Sequence, residues 1–234
     1  MKQHSNRFSF RQALEGLEGI GIICACYLTL FLKPLRDRWG LNKAEVARPF
    51  PGDELVSAPK TKFTHAVKIN APANYVWPWI AQIGQGKGGF YSYEALENLI
   101  GLQIYNSDVV LPEFQNPSID DSVAFAPGDR TPIVICEPGR AMAIENSLDM
   151  DSNQKYDPKG PAPKNYLHLT WLWFVEAIDE NHSRFTSRNR VDYAPNFKNK
   201  LMFGPLTEPI VFAMDRKMCL GIKKRAERLY RQNG

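Results

Sequence analysis

Four cysteines in 234 residues are too few to build a disulfide scaffold. Cys24, Cys26, Cys136 and Cys219 have neither metal spacing nor a paired framework. Histidine is equally scarce: His4, His65, His168 and His182 are scattered, with no second histidine or carboxylate at ligand spacing, so no metal and no cofactor is expected. Ser92, Ser147 and Ser187 lack a nucleophile-elbow context, which argues against a hydrolase triad. The glycine-rich stretch lacks the Gly-Lys-Ser/Thr ending of a phosphate loop. A long hydrophobic run is missing too. The uncharged stretch Gly19 to Leu32 has 14 residues, about 21 Å as a helix, and falls short of the ~20 apolar residues of a full span.

Hydrophobic residues at 44% and charged residues at 23% place the chain among folded globular proteins. The net charge of +4 is unevenly laid out, with 8 basic and 4 acidic residues over 1–50, 14 and 18 over 51–204, and 7 and 3 over 205–234. An acidic middle between basic ends excludes a uniformly basic nucleic-acid binder and leaves a membrane or an acidic partner open at the ends. Leu14 and Leu17 extend the apolar stretch if Glu18 snorkels, and basic residues flank it on both sides. Phe31-Leu32-Lys33-Pro34 offers no small-residue cleavage site, so residues 14–32 read as a membrane-anchoring helix within an N-terminal unit of residues 1–32. A helix packed against protein is the alternative. Residues 33–61, with Pro34, Pro49, Pro51, Gly52 and Pro59, read as a connecting segment holding a short helix near 42–47. The main domain is expected in the cytoplasm, membrane-associated through that helix or else wholly soluble.

Residues 62–232 form the folded body. A strand over 63–69, a helix over 72–83 and a second over 92–100 precede a series of strands at 122–126, 132–137, 141–146, 166–178 and 184–193. Pro127-Gly128-Asp129, Pro138-Gly139 and Asp179-Glu180-Asn181 supply the turns. The polar segment 147–164 reads as a mobile surface loop or lid. Ile210, Met214, Met218, Ile222, Ala226 and Leu229 recur at spacings of three and four, marking a long amphipathic helix over 206–230. The order is that of an α+β protein whose last helix covers an antiparallel sheet.

Gly84-Gln85-Gly86-Lys87-Gly88-Gly89 has the G-x-G-x-x-G spacing, but helical periodicity precedes it and no second parallel strand follows, so a dinucleotide site is not expected. Its glycines read as a tight connection, with Lys87 a candidate anion contact. Strand 166–178 is apolar on both faces, which fits a central strand or an aromatic-lined pocket. Arg188 and Arg190 share a strand face, pointing either to solvent or at a ligand carboxylate or phosphate.

The stretch Asn70 to Asn106, with its Val-Trp-Pro-Trp, Gly-Gln-Gly and Gly-Phe-Tyr-Ser-Tyr motifs, resembles the SRPBCC superfamily, the START-like, polyketide cyclase and Bet v 1-like group. Arg38-Trp39-Gly40, Pro51 to Leu55 and Met214 to Lys223 resemble the same uncharacterised bacterial branch. The resemblance implies a helix-grip fold: a curved antiparallel sheet wrapped around a long C-terminal helix, with a hydrophobic cavity between them and the apolar N-terminal helix as an addition. The cavity candidates are Trp79, Phe90 and Tyr93 from the helical region, His168, Trp171 and Trp173 from the aromatic strand, Arg188 and Arg190 beside it, and Met214 and Met218 from the last helix. The expected function is binding or transfer of a hydrophobic small molecule such as a lipid or polyketide, without catalysis. A cyclase or dehydratase using Tyr93, Glu94, His168 and Arg188, and a membrane-tethered interaction module, are the alternatives.

Overall fold

The computed structural model describes residues 10–233. Seven strands form one antiparallel sheet: β1 (Thr61–Ile69), β2 (Ser122–Val123), β3 (Thr131–Glu137), β4 (Ala141–Asp149), β5 (Gln154–Lys155), β6 (Tyr166–Ala177) and β7 (Ser183–Tyr193). The path is β1-β7-β6-β4-β3-β2, with β5 paired to the end of β4. The two longest strands, β6 and β7, lie side by side at its centre, joined by the expected turn at 179–181. The segment read as a lid holds β5 and is tied at its end, where the Met150 amide donates to the Asn165 carbonyl at 2.8 Å.

Seven α-helices complete the described chain: α1 (Phe10–Leu28), α2 (Lys33–Arg36), α3 (Lys43–Ala47), α4 (Trp77–Ala81), α5 (Glu94–Leu99), α6 (Phe197–Leu201) and α7 (Glu208–Asn233). The helix expected over 72–83 breaks into a 3-10 turn, Ala73–Tyr75, and α4, because Pro72 and Pro78 each withhold an amide donor. Helix α7 closes one face of the sheet, so the chain has the helix-grip architecture. Its buried residues are Glu208, Pro209, Ala213, Asp215, Met218, Cys219, Ile222 and Ala226, not the full stripe read from spacing. Ile210 points outward, 43% exposed, because small and polar residues take the inward positions of the first turns.

The opposite sheet face is covered as well. The stretch expected as a connection folds back over it, burying Phe50 against Ala141, Ala143, Leu172 and Phe174. Helix α3 starts on a reciprocal capping box between Asn42 and Glu45. Just upstream, the carbonyls of Asp37 and Trp39 accept from the amides of Thr64 and Ala66, at 2.7 and 2.9 Å, so the outer edge of β1 is paired.

The N-terminal helix differs from a free anchor. Among the described residues no single helix is long and apolar enough to cross a membrane; α1 and the stretch 30–36 meet at a 90° bend. Helix α1 lies along α5 and α7 through its small residues. Gly16 faces Ala95, and a Cβ at Gly19 would stand 2.8 Å from Leu96 and 3.0 Å from Tyr93. The bulky Leu14, Leu17 and Leu28 point outward.

Candidate functional site

The space between sheet and α7 is occupied by the aromatic side chains expected to line a cavity there. Trp79, Trp173 and Met218 are fully buried in one cluster with Phe185 and Ile222. Phe90, Phe125 and Trp171 stack with ring centroids 5.3–5.9 Å apart, and Trp171 leans on Trp173 at 4.8 Å. Met214 is only half-buried. Aromatic bulk from two strands and the 77–91 segment occupies this interior as a buried core cluster.

Three of the expected lining residues lie on the other face. Strand alternation places His168, Thr170, Leu172 and Phe174 of β6 away from α7, and the β6–β7 register puts Arg188 and Arg190 beside Leu172 and Thr170. Arg188 clamps Asp53 with two bonds of 2.7 and 2.9 Å, and Arg190 donates to the Val56 carbonyl at 2.8 Å. Both arginines therefore pin the returning segment 46–57. Burial pushes the Arg188 guanidinium below its ordinary value, and Asp53 opposes that shift. His168 meets Glu145 at 2.8 Å on the same face. Lys87 donates to the Ser122 carbonyl at 3.1 Å and so ties the glycine loop to β2.

A polar chain crosses the grip itself. Ser187 Oγ donates to Asp215 at 2.7 Å and accepts from the Trp171 indole at 2.8 Å. His65 Nδ1 meets the other Asp215 oxygen, so β1, β6, β7 and α7 are joined through one carboxylate. His65 sits among Trp39, Phe63 and Phe212, which seal it. Asp215 and His65 stand 150 positions apart, and no local pattern marks them as partners.

Open space lies instead on the outer side of α7. A solvent-open groove of about 990 Å³ runs between α1, α5, the 105–108 loop and α7. Leu17, Ile20, Leu96, Leu99 and Leu220 give it an apolar wall. At its polar end Glu94 accepts from Gln12 at 2.5 Å and from the Asn106 amide at 2.8 Å. Arg225 pairs with Asp108 at 2.9 Å, and Lys217 with Glu18 at 3.0 Å. Of the four acid–base candidates, Glu94 lines this cavity. Tyr93 lies beneath α1 with its hydroxyl buried and its ring under Lys217 Nζ at 4.8 Å. Burial first, then the neighbouring Glu18 carboxylate, push its phenol up to about 12. The α1 and α7 residues of this wall were invisible as a site because each sequence face reads as an ordinary amphipathic surface. Gly16 and Gly19, three apart in an apolar helix, were the available hint of close helix contact.

On α5, Glu97 is buried and accepts from Ser92 Oγ, while its second oxygen has no partner among the described residues. Burial raises its carboxyl to about 7. The unfolded chain ionises near 4.5, so the stabilisation carried by the neutral carboxyl is complete below that pH and is lost as pH rises through about 7. Glu97→Gln should therefore stabilise the protein at pH 8 by roughly 3 kcal/mol and change little at pH 4. Urea denaturation at both pH values checks this; equal effects at the two would contradict it.

The sheet order and the gripping C-terminal helix define a helix-grip α+β protein. No protein-family model and no curated protein matches the sequence. Among solved structures, the Zhui aromatase/cyclase from Streptomyces sp. R1128 is similar at 13% identity and a TM-score of 0.33, over 74% of this chain and 98% of that one. A protein from Arthrobacter aurescens is similar at 12% identity and a TM-score of 0.36, over 74% and 92%. The di-domain ARO/CYC BexL from the BE-7585A biosynthetic pathway is similar at 13% identity and a TM-score of 0.31, over 72% and 47%.

Proposed function

We propose that the protein binds a hydrophobic small molecule with a polar end, such as a lipid or polyketide, in the cavity between α1, α5 and α7, close to a membrane surface. The observation that carries this reading is the cavity of about 990 Å³, whose apolar wall from Leu17, Leu96, Leu99 and Leu220 ends at the polar group of Glu94, Asn106 and Arg225. Its volume falls at the upper end of the ~300–1,000 Å³ usual for small-molecule sites. An apolar body has a wall to cover, and a hydroxyl or carboxyl has paired donors and acceptors to exchange with. We favour binding without chemistry, because both Glu94 oxygens are already engaged by donors of the protein. A cyclase or dehydratase on the same ligand class is the alternative, and of Tyr93, Glu94, His168 and Arg188 it is Glu94 that lines the cavity.

The full chain should retain a small molecule in native mass spectrometry after gentle purification, and should bind a fluorescent long-chain fatty acid saturably. Leu220→Trp, which puts an indole into the apolar wall, should weaken that binding at least about tenfold with thermal stability kept, since displaced apolar contact is worth roughly 25 cal/mol per Å². Absence of both a retained molecule and saturable binding would overturn the proposal.

A further inference from the structure

We propose that a face built jointly from the elbow after α1 and the segment entering α7 docks in the plane of an anionic phospholipid bilayer. Two ties bring the parts together. Tyr27 donates its hydroxyl to the Leu206 carbonyl, and Arg36 makes a two-point contact with Glu208 at 2.8 Å on each branch. Residues 27–36 therefore run alongside residues 206–210. Leu28 is 83% exposed and Phe31 77%, with Leu35, Leu206 and Ile210 also exposed on these two segments, and Phe197, 82% exposed, stands on α6 a few residues before Leu206. Apolar side chains of this size, presented side by side from separate elements, need a nonaqueous partner.

Charge chooses the partner. Residues 27–38 and 197–210 together carry five basic and two acidic side chains. Both acids are already paired within the protein, Asp37 with Lys33 and Glu208 with Arg36. Lys198 and Lys200 are exposed, and neither has an ion pair among the described residues. An apolar face edged by uncompensated lysines matches an anionic bilayer surface, where the apolar part enters the acyl boundary and the lysines meet the headgroups. The stretch after α1 turns by 90°, while α1 itself is packed on the domain, and this favours a surface-lying mode. The elbow lies on the membrane and does not cross it, and α1 stays against the domain through Gly16 and Gly19. This gives the membrane-surface part of the proposed function a defined face and orientation.

The test is sedimentation of the full chain with vesicles of pure phosphatidylcholine and with vesicles containing phosphatidylglycerol. Binding to the anionic vesicles should exceed binding to the neutral ones at least tenfold. Lys198→Glu with Lys200→Glu should weaken it by roughly 5-fold per lysine or more, and Leu28→Ser with Phe31→Ser should abolish it. Circular dichroism and the melting temperature should remain those of the wild type, since all four positions are exposed. Leu220→Trp should bind vesicles normally, which separates this proposal from the cavity's ligand. Binding to neither vesicle, equal binding to both, or binding retained in both double variants overturns the proposal. So does a concentration-dependent dimer abolished by Phe31→Ser in protein that ignores vesicles, which would assign the face to a second copy.

Discussion

Arg36→Ala should lower the stability of the protein by about 3–5 kcal/mol, the usual cost of leaving one member of a buried ion pair alone. Both side chains are under one-tenth exposed. The guanidinium satisfies Glu208 at both oxygens and donates its remaining branch to the Thr29 carbonyl at 2.8 Å. Alanine would strand the Glu208 carboxylate in the protein and take one of two donors from the Thr29 carbonyl, which keeps only the Leu32 amide. Glu208 stands in the first turn of α7, where the helix dipole favours a negative charge but does not replace a bidentate partner. For a chain of this size the melting temperature should fall by roughly 6–20 °C. Arg36→Met combined with Glu208→Leu should cost less than Arg36→Ala alone, because no charge then stays buried without its partner. Thermal and urea denaturation of the two variants decide the matter; a double variant as damaged as the single one would mean that the pair is not what holds the elbow to α7.

Gly40→Ala should be comparably destructive, by about 3–5 kcal/mol from overpacking together with a left-handed backbone forced on alanine. Gly40 has φ +80, and a Cβ there would lie 1.9 Å from the Ala66 carbonyl oxygen. That oxygen belongs to the backbone of β1 and cannot swing aside as a flexible side chain would. The adjacent Trp39 carbonyl accepts from the Ala66 amide, so relief of the clash would pull residues 37–40 from the strand edge they cover. Chemical denaturation should show the loss, and proteolysis near residue 40 should accelerate at the same time. A variant with wild-type stability would contradict this expectation.

Much of the fold was legible locally. Alternation and turn residues mark β3, β4, β6 and β7 within a few positions, because strand formation is encoded in side-chain shape and in where the chain can reverse. The long α7 is legible from its three–four spacing, and its junction with the sheet follows from the need to cover an apolar face. The α3 start is legible in Asn42 and Glu45, whose capping bonds are made within four residues.

The filled grip was not legible, since Trp171 and Trp173 have the same sequence signature whether they line a void or close it. Which outcome holds depends on Phe90, Phe125 and Trp79 arriving from other elements. Alternation sets Arg188 and Arg190 on a shared strand face, and from the sequence that face meets either a ligand or solvent. The actual neighbour, a returning backbone with Asp53 in front of it, depends on residues 135 positions away. The same holds for the outer cavity, whose wall exists only because α1 lies across α5 and α7.

The sequence by itself determined the periodic elements, the α+β order and the presence of an apolar N-terminal helix, because these depend on neighbours within a few residues. The tertiary structure alone decided which faces meet. It filled the interior with aromatic rings, turned two arginines into a clasp for the 46–57 segment and moved the open cavity to the outer side of α7. The physical reason is that packing and ion pairing are settled by distance in space, and the pairs that matter here, Arg36 with Glu208 and His65 with Asp215, are 172 and 150 residues apart.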